Sequence, residues 1–165
     1  MDLQLKDKVV LITGPAKGMG SAVTLAFAKE GARLVLAGRD TAAIEPVAQQ
    51  ARALDVEVIV VPCDLTQSAQ TEALAARALD VFGRIDVLVN VAGGSGPIGK
   101  TGWETTAEEF DEIVQLNMKG CFNTMHAVLP SMIERRSGKV VNVGGTFGMR
   151  GRAGRMAYSA SKWGL

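Results

Sequence analysis

The sequence lacks an excess of charge of either sign. Its 165 residues include 18 lysines and arginines and 17 aspartates and glutamates, for a formal net charge of +1. A nucleic-acid-binding surface or a polybasic membrane anchor needs a concentration of basic residues, and this sequence has none. We therefore expect small molecules or other proteins as partners, and neither nucleic acid nor a membrane.

Long apolar runs are also missing. No segment approaches the roughly 20 residues that a membrane-spanning helix needs. The first residues, MDLQLKDKVV, lack the apolar region of a secretion signal. These absences predict a cytoplasmic protein, and the length predicts a single domain over 1–165.

The two cysteines form no recognisable motif. Cys63 and Cys121 are isolated, with neither CxxC spacing nor a pairing with histidine. Such cysteines are far more often buried thiols than ligands or nucleophiles. We expect no metal site and no catalysis by cysteine.

Apolar, β-rich runs alternate with helical patterns along the chain. This alternation predicts an α/β fold with a parallel sheet and right-handed crossovers. The apolar runs are nearly continuous, which suits strands covered on both faces. The predicted strands are Lys8–Thr13, Arg33–Ala37, Val56–Cys63, Asp86–Asn90 and Lys139–Val143, and the predicted helices are Met19–Glu30, Thr41–Leu54, Gln67–Phe82 and a long segment over Thr106–Arg135.

Local signals refine these boundaries. The spacing of Thr105 and Glu108 predicts a capping box at the start of the long helical segment, after a glycine-rich loop over Gly93–Gly102. Pro130 is expected to kink or divide that helix, and Gly138 to form the turn before the fifth strand.

Eight residues near the start, TGPAKGMG from Thr13 to Gly20, separate the apolar segment KVVLI from the amphipathic segment AVTLAFAKE. The pattern predicts a strand, a loop and a helix. Gly14, Gly18 and Gly20 would let backbone N–H groups approach a pyrophosphate at the positively polarised helix start. A glycine-rich loop alone is equally compatible with a simple tight turn. We interpret this segment as a dinucleotide-binding site.

Tyr158 and Lys162 stand four residues apart on a predicted helix. That spacing places the phenol and the ammonium on one face, one turn apart. A free phenol, with a pKa near ~10, is a poor base at neutral pH, and a nearby cation favours its ionised form. The pair is therefore a candidate for proton transfer, although an amphipathic surface pair has the same spacing.

These motifs, in this order, resemble those of the short-chain dehydrogenase/reductase family. TGPAKGMG matches the family's TGxxxGxG, Asn90-Val-Ala-Gly93 its NNAG with Val91 in place of the second Asn, and Tyr158-Ser-Ala-Ser-Lys162 its YxxxK. The resemblance implies a Rossmann-type, doubly wound parallel sheet and reversible hydride transfer between a nicotinamide cofactor and a carbonyl–alcohol pair. It also implies a homodimer or homotetramer formed through two long helices.

The resemblance assigns roles to particular residues. Tyr158 would be the acid/base, Lys162 would also hold the nicotinamide ribose, and Asn117, in LNMKG, would anchor a water in a proton relay. Asp64 would contact the adenine amino group, or else act only as a carboxylate favoured by a helix N-terminus. The cofactor-binding residues implied in this way are Gly14, Lys17, Gly18, Met19, Gly20, Arg39, Asp64, Leu65, Asn90, Ala92, Gly93, Tyr158 and Lys162.

The end of the second strand predicts which cofactor binds. An acidic residue there would bond a ribose 2′-hydroxyl and repel a 2′-phosphate. Gly38 occupies that position, followed by Arg39, and Lys17 adds a second cation. This pattern favours NADP(H), and the alternative is that Asp40 turns in to serve NAD(H).

One position departs from the family pattern. The serine that orients the substrate is expected 13 residues before the tyrosine, where this sequence has Gly145. Losing one such donor costs roughly 10²- to 10³-fold in rate. Thr146 is the nearest hydroxyl, but in a regular strand it would point to the other face. Backbone amides or the substrate's own polar groups are the other candidates.

Arg150, Arg152 and Arg155 lie together before the tyrosine. They suit an acidic substrate, because guanidinium groups bind carboxylates and phosphates through paired hydrogen bonds. A solvated basic loop or a subunit contact also explains them, and it is the simpler interpretation.

The last predicted helix begins near Met156, and the sequence ends at Leu165. Family members usually continue for two more strands with their helices, so the sheet is expected to be truncated just after the helix of Tyr158 begins. This, with Gly145, keeps open the alternative of a non-catalytic dinucleotide-binding or regulatory fragment.

Overall fold

The computed structural model describes residues 3–165. It contains a five-stranded, all-parallel sheet in the order β3-β2-β1-β4-β5. The strands are β1 Val9–Thr13, β2 Arg33–Gly38, β3 Val58–Pro62, β4 Val87–Asn90 and β5 Lys139–Asn142. The α-helices are α1 Gly18–Lys29, α2 Thr41–Arg52, α3 Ser68–Phe82, α4 Ala107–Val114, α5 Gly120–Glu134 and α6 Met156–Trp163, with a π-helical turn over Gln115–Lys119 and a 3₁₀ turn over Thr146–Gly148.

Helices cover both faces of the sheet. On one face, residues of α3 and α5 such as Leu74 and Val128 pack against Leu11 and Leu88. On the other face, residues of α1 and α2 pack against alternate side chains of the same strands. The sheet is therefore doubly wound, as predicted.

The expectation that all strands are covered on both faces is wrong for β5, whereas side chains from both faces of β3 pack against the helices. β1, β2 and β4 are almost wholly buried, because each has neighbours on both edges and helices on both faces. β3 and β5 are partly exposed, and Val141 in β5 is 47% exposed. Each forms an edge of the sheet among the described residues.

The capping box lies one residue later than predicted. The Thr106 hydroxyl accepts a hydrogen bond from the Glu109 amide at 3.2 Å, and the Glu109 carboxylate accepts one from the Thr106 amide at 3.0 Å. Thr105 and Glu108 have the same spacing, but the Thr105 hydroxyl donates to the Thr101 carbonyl. That bond takes the hydroxyl away from the helix start.

The long helical segment is interrupted at the π-helical turn, whereas Pro130 lies inside α5, which continues to Glu134. Pro130 was expected to kink or divide the helix, and the division does not occur. Pro130 removes one hydrogen-bond donor, but Val128 and Met132 on either side of it are buried against the sheet. Tertiary packing of this kind supports a helix beyond its local propensity.

Within residues 3–165, no helix has the length and apolar character needed to cross a membrane.

Candidate functional site

A cavity of about 510 Å³ opens at the carboxyl ends of the strands. In parallel α/β sheets, ligands bind at this edge, where the order of strands reverses. Here β1 lies between β2 and β4, so the cavity forms at that reversal. Of the residues predicted from sequence, it is lined by Gly14, Lys17, Gly18, Met19, Gly20, Arg39, Asp64, Leu65, Ala92, Gly93, Tyr158 and Lys162.

The three motif glycines have different surroundings. A Cβ on Gly20 would lie 2.0 Å from the Gly14 carbonyl oxygen, and one on Gly14 would lie 2.7 Å from the Cα of Ala92. Gly20 therefore lets the turn close on itself, and Gly14 lets the loop after β4 pack against the turn. Gly18, by contrast, has a φ of +55° and open space where its Cβ would be.

Gly18 is also the first residue of α1, so the open space faces a helix start. The first turn of α1 has no acidic residue, and the Lys17 side chain does not cap it. The first backbone N–H groups of a helix lack partners within the helix, and they attract anions. This open cradle fits a pyrophosphate.

Cations lie next to the cavity at the end of β2. Lys17 and Arg39 both line it, and neither forms an ion pair with a described residue. Asp40, the candidate ligand of an NAD ribose, instead caps α2 and accepts a hydrogen bond from the Ala43 amide at 3.0 Å. Turning Asp40 into the site would cost the helix this cap, which is typically worth ~1 kcal/mol.

Asp64 lies at the opposite wall of the same region. Its carboxylate accepts hydrogen bonds from the Thr66 amide at 3.0 Å and the Thr66 hydroxyl at 2.8 Å, and these bonds lower its pKa. Because α3 begins only at Ser68, the carboxylate stabilises a turn and does not cap the helix. Cys63 beside it is a buried thiol, and burial raises its pKa to about 11.

Asn90 and Asn117 do not line the cavity but lie behind its wall. Asn90 donates to the Asn142 side chain at 2.9 Å and accepts from the Thr124 hydroxyl at 2.8 Å. These bonds join β4 to β5 and α5. Asn90 therefore supports the sheet beneath the cavity.

Asn117 is fully buried in the π-helical turn. Its carboxamide accepts from the Gly94 amide at 2.7 Å and donates to the Gly94 carbonyl at 3.0 Å. It also donates to the Ser161 hydroxyl at 3.0 Å. One side chain thus joins the loop after β4 to α6, the helix that carries Tyr158 and Lys162.

Lys162 extends from α6 to the end of β5. Its ammonium donates to the Val143 carbonyl at 2.9 Å, and the residue is 9% exposed. Burial lowers the pKa of Lys162, because removal from water penalises the charged form. A Cβ on Gly93 would lie 3.6 Å from this ammonium, so the lysine fills the space beside the loop.

Gly145 lies directly beside the Tyr158 hydroxyl. A Cβ on Gly145 would be 3.0 Å from that oxygen, which places this residue where the family's serine is expected. Thr146 begins the 3₁₀ turn, is exposed, and makes no side-chain hydrogen bond to a described residue. No Ser or Thr side chain among residues 3–165 hydrogen-bonds to the Tyr158 hydroxyl.

Some lining residues carried no signal in the sequence. Leu116, Val143 and Gly144 all line the cavity. Val143 contributes through its backbone carbonyl, which any residue type provides, and Leu116 is an ordinary apolar residue. Such residues are found only once the fold brings their loops together.

The match to a family model decides the classification: the model described as short chain dehydrogenase matches residues 8–165. The chain belongs to this family. A relative named 3-oxoacyl-(acyl-carrier-protein) reductase FabG, from Thermotoga maritima, is 35% identical over 163 residues. The match covers 99% of this chain and 65% of that protein, so the chain spans slightly less than two thirds of its length.

Solved structures of short-chain dehydrogenases have the same fold. A metagenomic short-chain oxidoreductase in complex with NADP is 34% identical with a TM-score of 0.92, and the match covers 98% of this chain and 71% of that one. NAD⁺-bound xylitol dehydrogenase is 28% identical with a TM-score of 0.94, covering 98% and 62%. Similar folds are therefore known with either nicotinamide cofactor.

Proposed function

We propose that the protein is an oxidoreductase that interconverts a carbonyl and an alcohol with NADP(H). One observation carries the proposal: a single cavity joins the open glycine cradle and its two cations to Tyr158 and Lys162. Phosphate-binding and proton-transferring groups thus face the same space.

The chain's own groups account for the movement of the proton. In reduction, the Tyr158 hydroxyl donates a proton to the carbonyl oxygen, and in oxidation its phenolate accepts one from the alcohol. When bound in the cradle, NADPH would supply the hydride to the carbonyl carbon, which completes the two-electron reduction. The Lys162 ammonium lines the same cavity as Tyr158 and is held in place by the Val143 carbonyl.

Lys17 and Arg39 support NADP(H) over NAD(H). Both are free of ion pairs within the described chain, and the only acid adjacent to Arg39 in sequence, Asp40, caps α2. A 2′-phosphate would be attracted here, and no carboxylate occupies the Gly38 position to repel it.

The test compares wild-type protein with Tyr158→Phe. Loss of the hydroxyl is expected to reduce NADPH-dependent carbonyl reduction at least about 10²-fold, the lower range for a general acid. Calorimetry should show the dissociation constant for NADPH changed by less than threefold, because the phenyl ring is retained. Turnover in the variant at the wild-type rate would show that another group moves the proton.

A second candidate function is cofactor binding without chemistry, which Gly145 favours because the orienting hydroxyl is absent. NADPH binding without turnover of any carbonyl in a broad panel would establish it.

We further propose self-association and a cytoplasmic location. Met118, Phe122 and Ile133, in the π-helical turn and α5, are 38%, 57% and 70% exposed, which supports a contact between copies. Sedimentation equilibrium would give the oligomeric state, and Phe122→Lys should dissociate the assembly.

A further inference from the structure

The segment before α6 carries unneutralised positive charge. We call residues 150–155 the arginine loop, after Arg150, Arg152 and Arg155. Between Arg135 and Leu165 the sequence holds neither Asp nor Glu. Within the described part of the chain, no carboxylate lies within ion-pair distance of these three guanidiniums.

Two of these guanidiniums lie over aromatic rings at the site. Arg155 lies 4.9 Å from the centroid of the Tyr158 ring, and Arg152 lies 5.0 Å from that of Phe147. The two rings meet edge to face at 6.2 Å, and Arg155 is also 5.9 Å from the Phe147 centroid. The four side chains form one cluster around the tyrosine.

Stacking restrains a guanidinium but leaves the edges that carry its N–H groups available. The planar fork of an arginine held over a ring is thus presented for paired hydrogen bonds to an oxyanion. The Nε of Arg155 is a buried nitrogen with no hydrogen-bond partner. That nitrogen is closed to solvent, so an oxyanion from outside the chain would be bound by the terminal N–H groups of Arg155, which form no hydrogen bond to a described residue.

The backbone keeps the arginine loop in place. The Gly99 amide donates to the Gly154 carbonyl at 3.0 Å, which ties this loop to the one after β4. Gly154 has a φ of +69°, and a Cβ there would lie 3.0 Å from the Cα of Gly99. The close approach of these two loops is therefore built on glycine.

Gly145 is adjacent to the same tyrosine oxygen and has no side chain to fill the space or to donate a hydrogen bond. A substrate can enter this space, but no serine hydroxyl orients it. An anionic group held by arginine would supply the missing orientation, because a charge-assisted, paired contact fixes both distance and angle.

We propose that the carbonyl substrate carries a carboxylate or phosphate group, which Arg155 and Arg152 bind so that the carbonyl oxygen lies at the Tyr158 hydroxyl. This assignment rests on the proposed function and adds the chemical class of its substrate. Arg155 and Arg152 are specificity residues in it, and the proton chemistry remains with Tyr158.

The first experiment measures kcat/KM with NADPH for matched pairs of ketones. Acetoacetate and laevulinate are compared with their methyl esters, and dihydroxyacetone phosphate with dihydroxyacetone. We expect at least one anionic ketone to exceed its neutral partner by about 10- to 100-fold, the range for hydrogen bonds to a charged group. Whether the carboxylates or the phosphate show the preference identifies the anion.

Variants attribute the preference to the cluster. Arg155→Gln is expected to lower the anionic-to-neutral ratio about tenfold, and the double variant with Arg152→Gln to bring it near one. Arg77→Gln removes the same charge from an exposed ion pair on α3 and should leave the ratio unchanged. A wild-type ratio near one for every pair, or a preference retained in the double variant, overturns the proposal.

The second experiment separates this proposal from the proposed function. The same ketone pairs are titrated into NADPH-loaded Tyr158→Phe protein, with and without Arg155→Gln, so that binding is measured without turnover. Tight binding of an anionic ketone that requires Arg155, in a protein whose wild type reduces nothing, supports the anion site and removes the oxidoreductase proposal. Turnover of neutral ketones without Arg155-dependent anion binding supports the oxidoreductase proposal and overturns the anion site. If neither turnover nor Arg155-dependent binding is found, both proposals are wrong.

Discussion

With Gly145 beside it, the Tyr158 hydroxyl forms no hydrogen bond to a described side chain, and the space at Gly145 decides what a substitution there does. A Cβ at 3.0 Å from the tyrosine oxygen is tight, so either the oxygen or the backbone at Gly145 must shift by a few tenths of an ångström. A serine would add both this crowding and a hydrogen-bond donor. The effect of the added volume is separated from the effect of the added hydrogen-bond donor by comparing an alanine with a serine variant.

Gly145→Ala is expected to lower kcat/KM for small neutral ketones severalfold, because it adds the methyl group without a donor. Gly145→Ser should exceed the alanine variant by up to about 10²-fold, the scale of one preorganised donor. Steady-state kinetics of the three proteins measure this. Equal rates for Ala and Ser would show that the hydroxyl is not used.

Arg39→Asp tests the cofactor preference. The variant replaces a cation by an anion at the end of β2, so NADPH should bind at least about tenfold more weakly and NADH more tightly. Calorimetric titration of both cofactors at one salt concentration gives the ratio, with Arg77→Asp as the control for net charge. Wild-type protein that binds NADH as tightly as NADPH would contradict the preference itself.

For individual residues, the sequence predicts which ones lie at the site better than it predicts what their side chains contact. TGPAKGMG and YSASK contain eight of the 21 residues that line the cavity, since fixed spacing within one loop or helix survives folding. The stacking of Arg155 on Tyr158 and the capping of α2 by Asp40 depend on χ angles and local turns. The spacing of two residues in the sequence predicts neither of these contacts.

The π-helical turn is the element that positions Asn117. A turn with one extra residue rotates the residues that follow, and here it places the carboxamide between Gly94 and Ser161. Such turns are rare in proteins overall, and those that occur are often at functional sites. The sequence pattern predicts one long helix because the hydrophobic period continues through the turn, and Pro130 was the more visible break.

Asn117→Ala is expected to lower the free energy of unfolding by about 3 kcal/mol, because three hydrogen bonds worth about 1 kcal/mol each are lost. Asn123→Ala is the reference variant for the loss of one buried hydrogen bond, because the Asn123 side chain donates once, to the Leu65 carbonyl. Urea unfolding measures both. Equal losses would mean that the three bonds to Gly94 and Ser161 together contribute no more than the single bond of Asn123.

Across the whole molecule, Asp86 joins strands and a helix at the end of the sheet opposite the cavity. Its carboxylate, 7% exposed, accepts from the Val9 amide at 2.9 Å and from Arg84, and Arg135 of the segment after α5 approaches to 3.6 Å. Burial alone raises the pKa of Asp86, but the hydrogen bonds from Arg84 and Val9, with the nearby positive charges, hold it below its usual value.

Asp86→Asn is expected to cost about 2 kcal/mol at neutral pH, a value discounted because Arg84 is 44% exposed. A depressed carboxyl pKa stabilises the fold above the unfolded pKa of about 4 and loses that contribution as the pH falls through the folded value. The difference between wild type and variant should therefore shrink below about pH 4. Asp80→Asn, in an exposed pair, is the control, and a difference independent of pH would exclude the carboxylate charge.

The overall architecture was the most predictable level. Five apolar runs separated by helical patterns restrict the chain to a parallel sheet, because crossovers are right-handed and strands in α/β proteins are covered. The partial exposure of β5 was not predictable, because it depends on whether the strand lies at the edge or in the middle of the sheet. The sequence KVV is compatible with either position.

The strand order also has a consequence for the time course of synthesis. The central strand, β1, is the first to leave the ribosome, and it acquires its second neighbour only when β4 is complete. The Thr13 hydroxyl then accepts a hydrogen bond from the Ala92 amide, and Gly14 meets the Ala92 backbone. The phosphate cradle is therefore finished in the nascent chain more than 60 residues before Tyr158 is added. Under the proposed function, nucleotide present in the cell has the opportunity to bind the glycine cradle and stabilise the growing sheet before Tyr158 and Lys162 are added.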